Sequence, residues 1–167
     1  KCGYISCVAD NQCRAHMSVL VTPEKTEDKD IHFPLKMFVY GTLKKTYPNN
    51  SALEGADFLR NATVKGVLLH LGAFPGLLPC ATGTTVDGEL WSIPNKEVLA
   101  RLDALEGHPS HFSRTRIITA GGEYVWTYVY SSYYREAVPD SRRRWNIVHG
   151  GVWNGPRTYC ENFIGFF

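Results

Sequence analysis

No stretch of this sequence approaches the roughly 18 consecutive apolar residues that a membrane-spanning helix requires, so no membrane segment is expected in it. Charge of one sign is not in excess either. Eighteen basic against 16 acidic side chains leave a net charge of +2, too little to call for nucleic acid as a partner. Internal repeats and low-complexity tracts are absent. The start lacks the basic segment and apolar run of a secretory signal peptide. The cysteines lack an even count: there are five, so at least one is unpaired unless the chain dimerises. Cys80 and Cys160 stand alone in sequence, which suits a reducing compartment such as the cytoplasm better than a secreted disulfide scaffold. Asn49-Asn50-Ser51 and Asn61-Ala62-Thr63 match the glycosylation pattern, and without secretory features both read as chance.

What is present is ordinary for a globular protein. The 167 residues suffice for one domain with a real core. Apolar residues make up 44% and charged ones 20%, both normal values. Aromatics reach 13%, which suits a β-rich core or a lined pocket.

Residues 1–35 differ from the rest and read as an N-terminal extension. Cys2, Cys7, Cys13 and His16 crowd its start. Their spacings are not those of a paired C-x-x-C knuckle, so a disulfide in an oxidising compartment is favoured over zinc. His16-Met17 resembles a cloning junction, in which case the native chain begins near Met17. Ser18 to Val21 is a candidate short strand, and Glu24 to Asp30 a charged linker.

Lys36 to Tyr40 then reads as an apolar strand that breaks at Gly41. Such a break leaves backbone N–H groups that can form a concave anion site. Asn50 or Ser51 can cap a short helix through Leu59. Thr63 to Leu71 and Thr84 to Ile93 read as strands, with Gly66 and Gly88 as bulges or points of close approach. The breakers from Gly72 to Gly76 read as a turn. Pro94-Asn95 starts a helix that runs to about Leu105 and stops at Gly107. Ser113 to Ala120 and Glu123 to Ser131 form a hairpin around Gly121-Gly122. Its second strand is apolar on both faces and therefore central. Residues 132–167 are a basic and aromatic tail. Arg142 to Arg144 suit a solvated face, while Trp145, Trp153 and Phe163 to Phe167 are apolar enough to pack on the domain or on another chain.

The helix end carries the chemistry. At about 100° per residue, Val98, Leu99, Leu102 and Leu105 share a stripe, Glu106 falls within it and Asp103 at its border. A carboxylate held toward the core has its pKa raised by burial and by the negative helix end, which suits general acid/base work. Alternatively the helix frays and Glu106 turns to solvent beside Gly107, and periodicity alone favours that second reading.

The set of motifs changes this balance. Phe38-Val39-Tyr40-Gly41-Thr42-Leu43-Lys44, then Val86-Asp87-Gly88-Glu89-Leu90-Trp91, then Leu102-Asp103-Ala104-Leu105-Glu106-Gly107-His108-Pro109, then Phe112-Ser113-Arg114 follow one another in this order. Together they resemble the gamma-glutamylcyclotransferase-like family, in particular its gamma-glutamylamine cyclotransferase and AIG2-like branch. The resemblance spans about Met37 to Tyr130. It departs at Thr46, where the family often has glycine shortly after the basic residue of the loop, and residues 1–35 and much of the tail have no counterpart.

The resemblance implies an α+β fold, a small mixed curved β-sheet or barrel flanked by two helices, in a domain spanning 36–131. It implies an enzyme that needs no metal or organic cofactor. A small γ-glutamyl amine, peptide or decorated metabolite cyclises to 5-oxoproline and releases an amine. Glu106 is the implied general acid/base; Tyr40, Gly41, Thr42 and Leu43 form the implied substrate-binding loop. Two alternatives stand beside it. One is a non-catalytic member of the same fold, serving as a binding or assembly module that self-associates through the extension or the tail. The other is a thiol enzyme using Cys80, which needs a His–Asp partner that sequence cannot locate. His70, His108 and His111 have no metal spacing with a nearby acid. Arg114 and Arg116 share a strand face, where a salt bridge is the default. Tyr128 and Tyr130 suit either a pocket wall or the core.

Overall fold

A computed structural model describes residues 30–130 and 147–156. The cysteine-rich start, Ser18 to Val21, Arg142 to Arg144, Trp145, Cys160 and Phe163 to Phe167 lie outside the described residues. The described chain forms strands β1 (Leu35–Val39), β2 (Asp57–His70), β3 (Pro75–Pro79), β4 (Thr84–Ile93), β5 (Phe112–Ile118) and β6 (Tyr124–Tyr130), with one α-helix, α1 (Lys96–Glu106). The strands make a six-stranded sheet in the order β3-β2-β4-β1-β6-β5. β1 pairs antiparallel with β4 and parallel with β6, so the sheet is mixed.

Strong curvature brings the β3 edge around toward β6. A Cβ built on Gly76 of β3 would stand 3.1 Å from the Cβ of Tyr130 in β6. Glycine permits this bending where strands cross closely. At Gly66 the close-approach reading applies, because a Cβ would lie 2.8 Å from the Leu78 carbonyl oxygen. At Gly88 a Cβ would meet the Val39 carbonyl oxygen at 2.4 Å and the Phe38 ring at 2.5 Å. Neither neighbour can move without disturbing β1. Gly88→Ala is therefore expected to cost about 1–3 kcal/mol by overpacking, read as a lowered urea midpoint at unchanged slope. Unchanged stability would show that β1 and β4 are not in this register.

Two sequence expectations need correction. The helix placed through Leu59 is a single 3-10 segment, Pro48–Leu53, whose N-cap is Tyr47 rather than Asn50 or Ser51. Gly55 then takes φ +89, and Asp57 already pairs with Ser92 of β4. Pairing and the edge-on contact of Phe58 with Trp91, 5.6 Å between ring centres, hold this exposed segment extended. Consequently, among the described residues, one α-helix flanks the sheet instead of two. The second correction is β3. Pro75 and Gly76, read as part of a turn, open a strand, and the turn is confined to Leu71–Phe74, closed by Leu71 N–H donating to the Phe74 carbonyl at 2.9 Å. Among the described residues β3 pairs only with β2, and an edge strand tolerates proline.

The expected helix and hairpin form as read. The Asn95 side chain caps α1 by accepting from Val98 N–H at 3.1 Å, and Gly107 ends it in the left-handed region at φ +63. Val98, Leu99 and Leu102 are buried against the sheet, but Leu105 is 44% exposed and leaves the stripe. β6 lies between β1 and β5, so the strand that is apolar on both faces is internal. On the opposite side of the sheet Trp153 returns to fill a second apolar cluster with Phe38, Leu68, Leu77 and Val125.

Candidate functional site

β1 ends at Val39, and the chain turns at Gly41 with Lys44 N–H donating to the Gly41 carbonyl at 3.0 Å. The 3-10 segment braces this bend. Asn49 Nδ2 donates to Thr42 Oγ1 at 3.0 Å and Asn50 Nδ2 to the Leu43 carbonyl at 2.8 Å. The N–H groups of Thr42 and Leu43 donate to no acceptor among the described residues, so they are available to an anion. Gly41 is required by crowding, since a Cβ there would lie 2.5 Å from the Pro75 ring.

Across from the bend stands the last turn of α1. Tyr40, Gly41, Thr42, Leu43 and Glu106 all line one cavity of about 500 Å³. The structure thus brings together the five residues that the resemblance implies for the cyclotransferase site, and leaves Cys80 outside it. Burial pushes the Glu106 carboxyl up to about 7, because a low-dielectric surrounding disfavours the anion. The negative charge of Glu106 in turn acts on two phenols. Tyr40 and Tyr128 are both raised, first by burial; Glu106 adds at Tyr40, and the Asp103 hydrogen bond and charge add at Tyr128, with a smaller part from Glu106.

Tyr40 has a different job from the rest of the loop. Its hydroxyl donates to the Tyr128 carbonyl at 2.6 Å and accepts from Leu77 N–H at 3.1 Å. It ties β1 to β3 and β6 and offers the cavity its ring. Tyr128 lines the cavity too and donates from its hydroxyl to Asp103 Oδ1 at 2.6 Å. Asp103 also receives Arg114, which forms the expected salt bridge. This network anchors the final turn of α1, and with it Glu106, to β5 and β6.

Sequence reasoning left Tyr128 open between pocket wall and core, and missed the two asparagines and the Phe74 and Phe112 part of the wall. Asn49 and Asn50 read only as cap or loop residues, and nothing in the spacing of Phe74 or Phe112 tells of the cavity. Lys44 is not part of the lining; its ammonium donates to the Trp153 carbonyl at 2.9 Å. Cys80 is buried beside Thr82, 3.3 Å from its hydroxyl, outside the cavity lining. Among the described residues no group of three or more His, Cys, Asp or Glu is placed to hold a metal, and no helix is long and apolar enough to cross a membrane.

The sequence pattern of the family described as "Gamma-glutamyl cyclotransferase, AIG2-like" matches residues 37–155, well over half of the chain. The chain belongs to this family. It is 29% identical over 100 residues to a Methanocaldococcus jannaschii protein provisionally named a gamma-glutamylcyclotransferase, covering 56% of this chain and 82% of that one. An AIG2-like protein from Mus musculus superposes with a TM-score of 0.60 at 24% identity, over 75% of this chain and 98% of its own. The Escherichia coli protein ytfP matches with a TM-score of 0.52 at 31% identity, over 72% and 96% respectively. The mixed, curved six-stranded sheet is therefore the fold of this family.

Proposed function

We propose that the protein is a gamma-glutamyl cyclotransferase that releases 5-oxoproline and a free amine, with Glu106 as general acid/base. The observation that carries the reading is the meeting of the Gly41–Leu43 bend and the Glu106 carboxyl in one cavity. The bend offers backbone N–H groups to an anion, and among the described residues Glu106 is the only carboxylate in the lining.

The chemistry suits these two features. The substrate's α-amine and γ-carbonyl carbon belong to one residue, so holding the chain in a ring-like conformer removes most of the entropic barrier. Ionised Glu106 takes a proton from the α-ammonium. The freed amine attacks the γ-carbonyl carbon and a C–N bond forms. The tetrahedral oxyanion or the α-carboxylate rests on the Thr42 and Leu43 N–H groups. Collapse breaks the bond to the leaving nitrogen, which receives the proton that Glu106 holds, and the ring nitrogen gives up its second proton to the carboxylate so regenerated, which passes it to the departing amine or to solvent. A group with a pKa near 7 can run both steps at neutral pH. Among the described residues no bulky side chain fills this cavity, which weighs for an enzyme over a non-catalytic binding module.

The test is an assay of 5-oxoproline release from a panel of γ-glutamyl amines and dipeptides. Because the base must be ionised, kcat/KM is expected to rise about tenfold per pH unit below about 7 and to level off above it. No release from any member, or a profile that falls between pH 5 and 7, would reject the assignment.

A further inference from the structure

The cavity has two chemically different ends. The bend, Asn49, Glu106, His111 and Tyr128 supply its polar lining. Phe74, from the β2–β3 turn, and Leu105, from the end of α1, also line it and are 41% and 44% exposed. Single exposed apolar side chains are common, but these two come from unconnected elements and meet the same opening. Phe112, buried at the start of β5, continues the surface inward and contacts Phe74 edge-on, with 5.9 Å between ring centres. Among the described lining residues there is no lysine, arginine or aspartate.

The polar end is matched to the invariant part of a γ-glutamyl substrate, its ammonium and carboxylate. The substituent on the leaving nitrogen is then directed along the apolar wall toward solvent. There a second cation would find only Glu106 as a carboxylate among the described lining residues, already engaged with the α-amine, and an acidic substituent would meet the charge of Glu106 with the His111 imidazole, and no lysine or arginine, in the lining. We infer that the leaving group is an uncharged apolar amine, alkyl or aryl-alkyl, held by Phe74, Leu105 and Phe112. This inference rests on the cyclotransferase reading and adds the substrate class to it.

The experiment is a series of γ-glutamyl n-alkylamides from methyl to hexyl, run beside γ-glutamyl-lysine and γ-glutamyl-glutamate with 5-oxoproline as the readout. Each buried methylene is expected to raise kcat/KM about three- to fourfold, and both charged leaving groups should fall below the alkylamide of equal length. Phe74→Ser and Leu105→Ser should each lower the hexyl-to-methyl ratio. That ratio is taken within one protein sample, so it does not depend on how much of the variant is folded. A flat or falling series, a preference for either charged leaving group, or ratios unchanged in both variants would overturn the inference while leaving the cyclotransferase reading intact. Absence of release from every member would overturn that reading itself, and this inference with it.

Discussion

Glu106→Gln is expected to lower 5-oxoproline release by about 10²–10⁴-fold, the usual worth of a positioned acid/base group, and to make the protein more stable at alkaline pH. The two effects have one cause. Folding lifts the carboxyl from its ordinary 4.5 to about 7. A raised carboxyl favours the folded state fully below pH 4.5, and that contribution is lost as pH rises through 7. The gap corresponds to about 3 kcal/mol at roughly 1.4 kcal/mol per pH unit. Glutamine does not ionise and escapes this loss. Urea unfolding at pH 5 and pH 8 should therefore show the variant gaining about 2–3 kcal/mol over the parent between the two conditions. Near-normal turnover would remove Glu106 from the chemistry. Loss of turnover without the pH-dependent gain would mean that its carboxyl is not buried as described.

Trp153→Ala is expected to cause the largest loss of stability, about 3–5 kcal/mol, as for other fully buried large side chains. Trp153 is 1% exposed and its ring lies 4.5 Å from that of His70 between centres. The chain around it is stitched to the sheet: Val148 N–H donates to the Leu68 carbonyl at 2.8 Å, and Asp87 N–H to the Gly151 carbonyl at 2.9 Å. Gly151 is held in the left-handed region at φ +69, and a Cβ there would stand 1.9 Å from the Thr85 carbonyl oxygen. The Trp153 indole N–H has no acceptor among the described residues, so the expected loss is one of packing. Trp153→Phe should accordingly cost far less than the alanine change. Equal, small losses for both would show that this residue does not fill the core.

Both residues bear on what the sequence could reveal. β4, α1 and the β5–β6 hairpin were legible because local signals agreed with tertiary structure: alternation in Thr84–Ile93, a cap at Asn95, and glycine at 107. β3 was not, because Pro75 and Pro79 break most strands and only its edge position rescues it. The first half of β2 is exposed, so no buried face gives it a period, and pairing with β4 together with the Phe58–Trp91 contact keeps it extended. At the site, the helical angle put both Leu105 and Glu106 in the apolar stripe but periodicity alone favoured a solvent-facing Glu106; the structure puts Glu106 in the cavity lining and leaves Leu105 44% exposed, since α1 ends where the cavity opens. Trp153 was the hardest case. It reaches the core because Val148 and Gly151 beside it bond to Leu68 and Asp87, more than sixty residues away in sequence, which no local pattern encodes.

The central claim is spatial: a glycine bend and a helix-end acid act on one γ-glutamyl group. A crystal structure of the Glu106→Gln variant with a bound γ-glutamyl n-alkylamide tests it most directly. The account predicts the α-carboxylate or γ-carbonyl oxygen on the Thr42 and Leu43 N–H groups and the α-amine beside the residue 106 side chain. A ligand bound elsewhere, or one whose α-amine points away from residue 106, would contradict it.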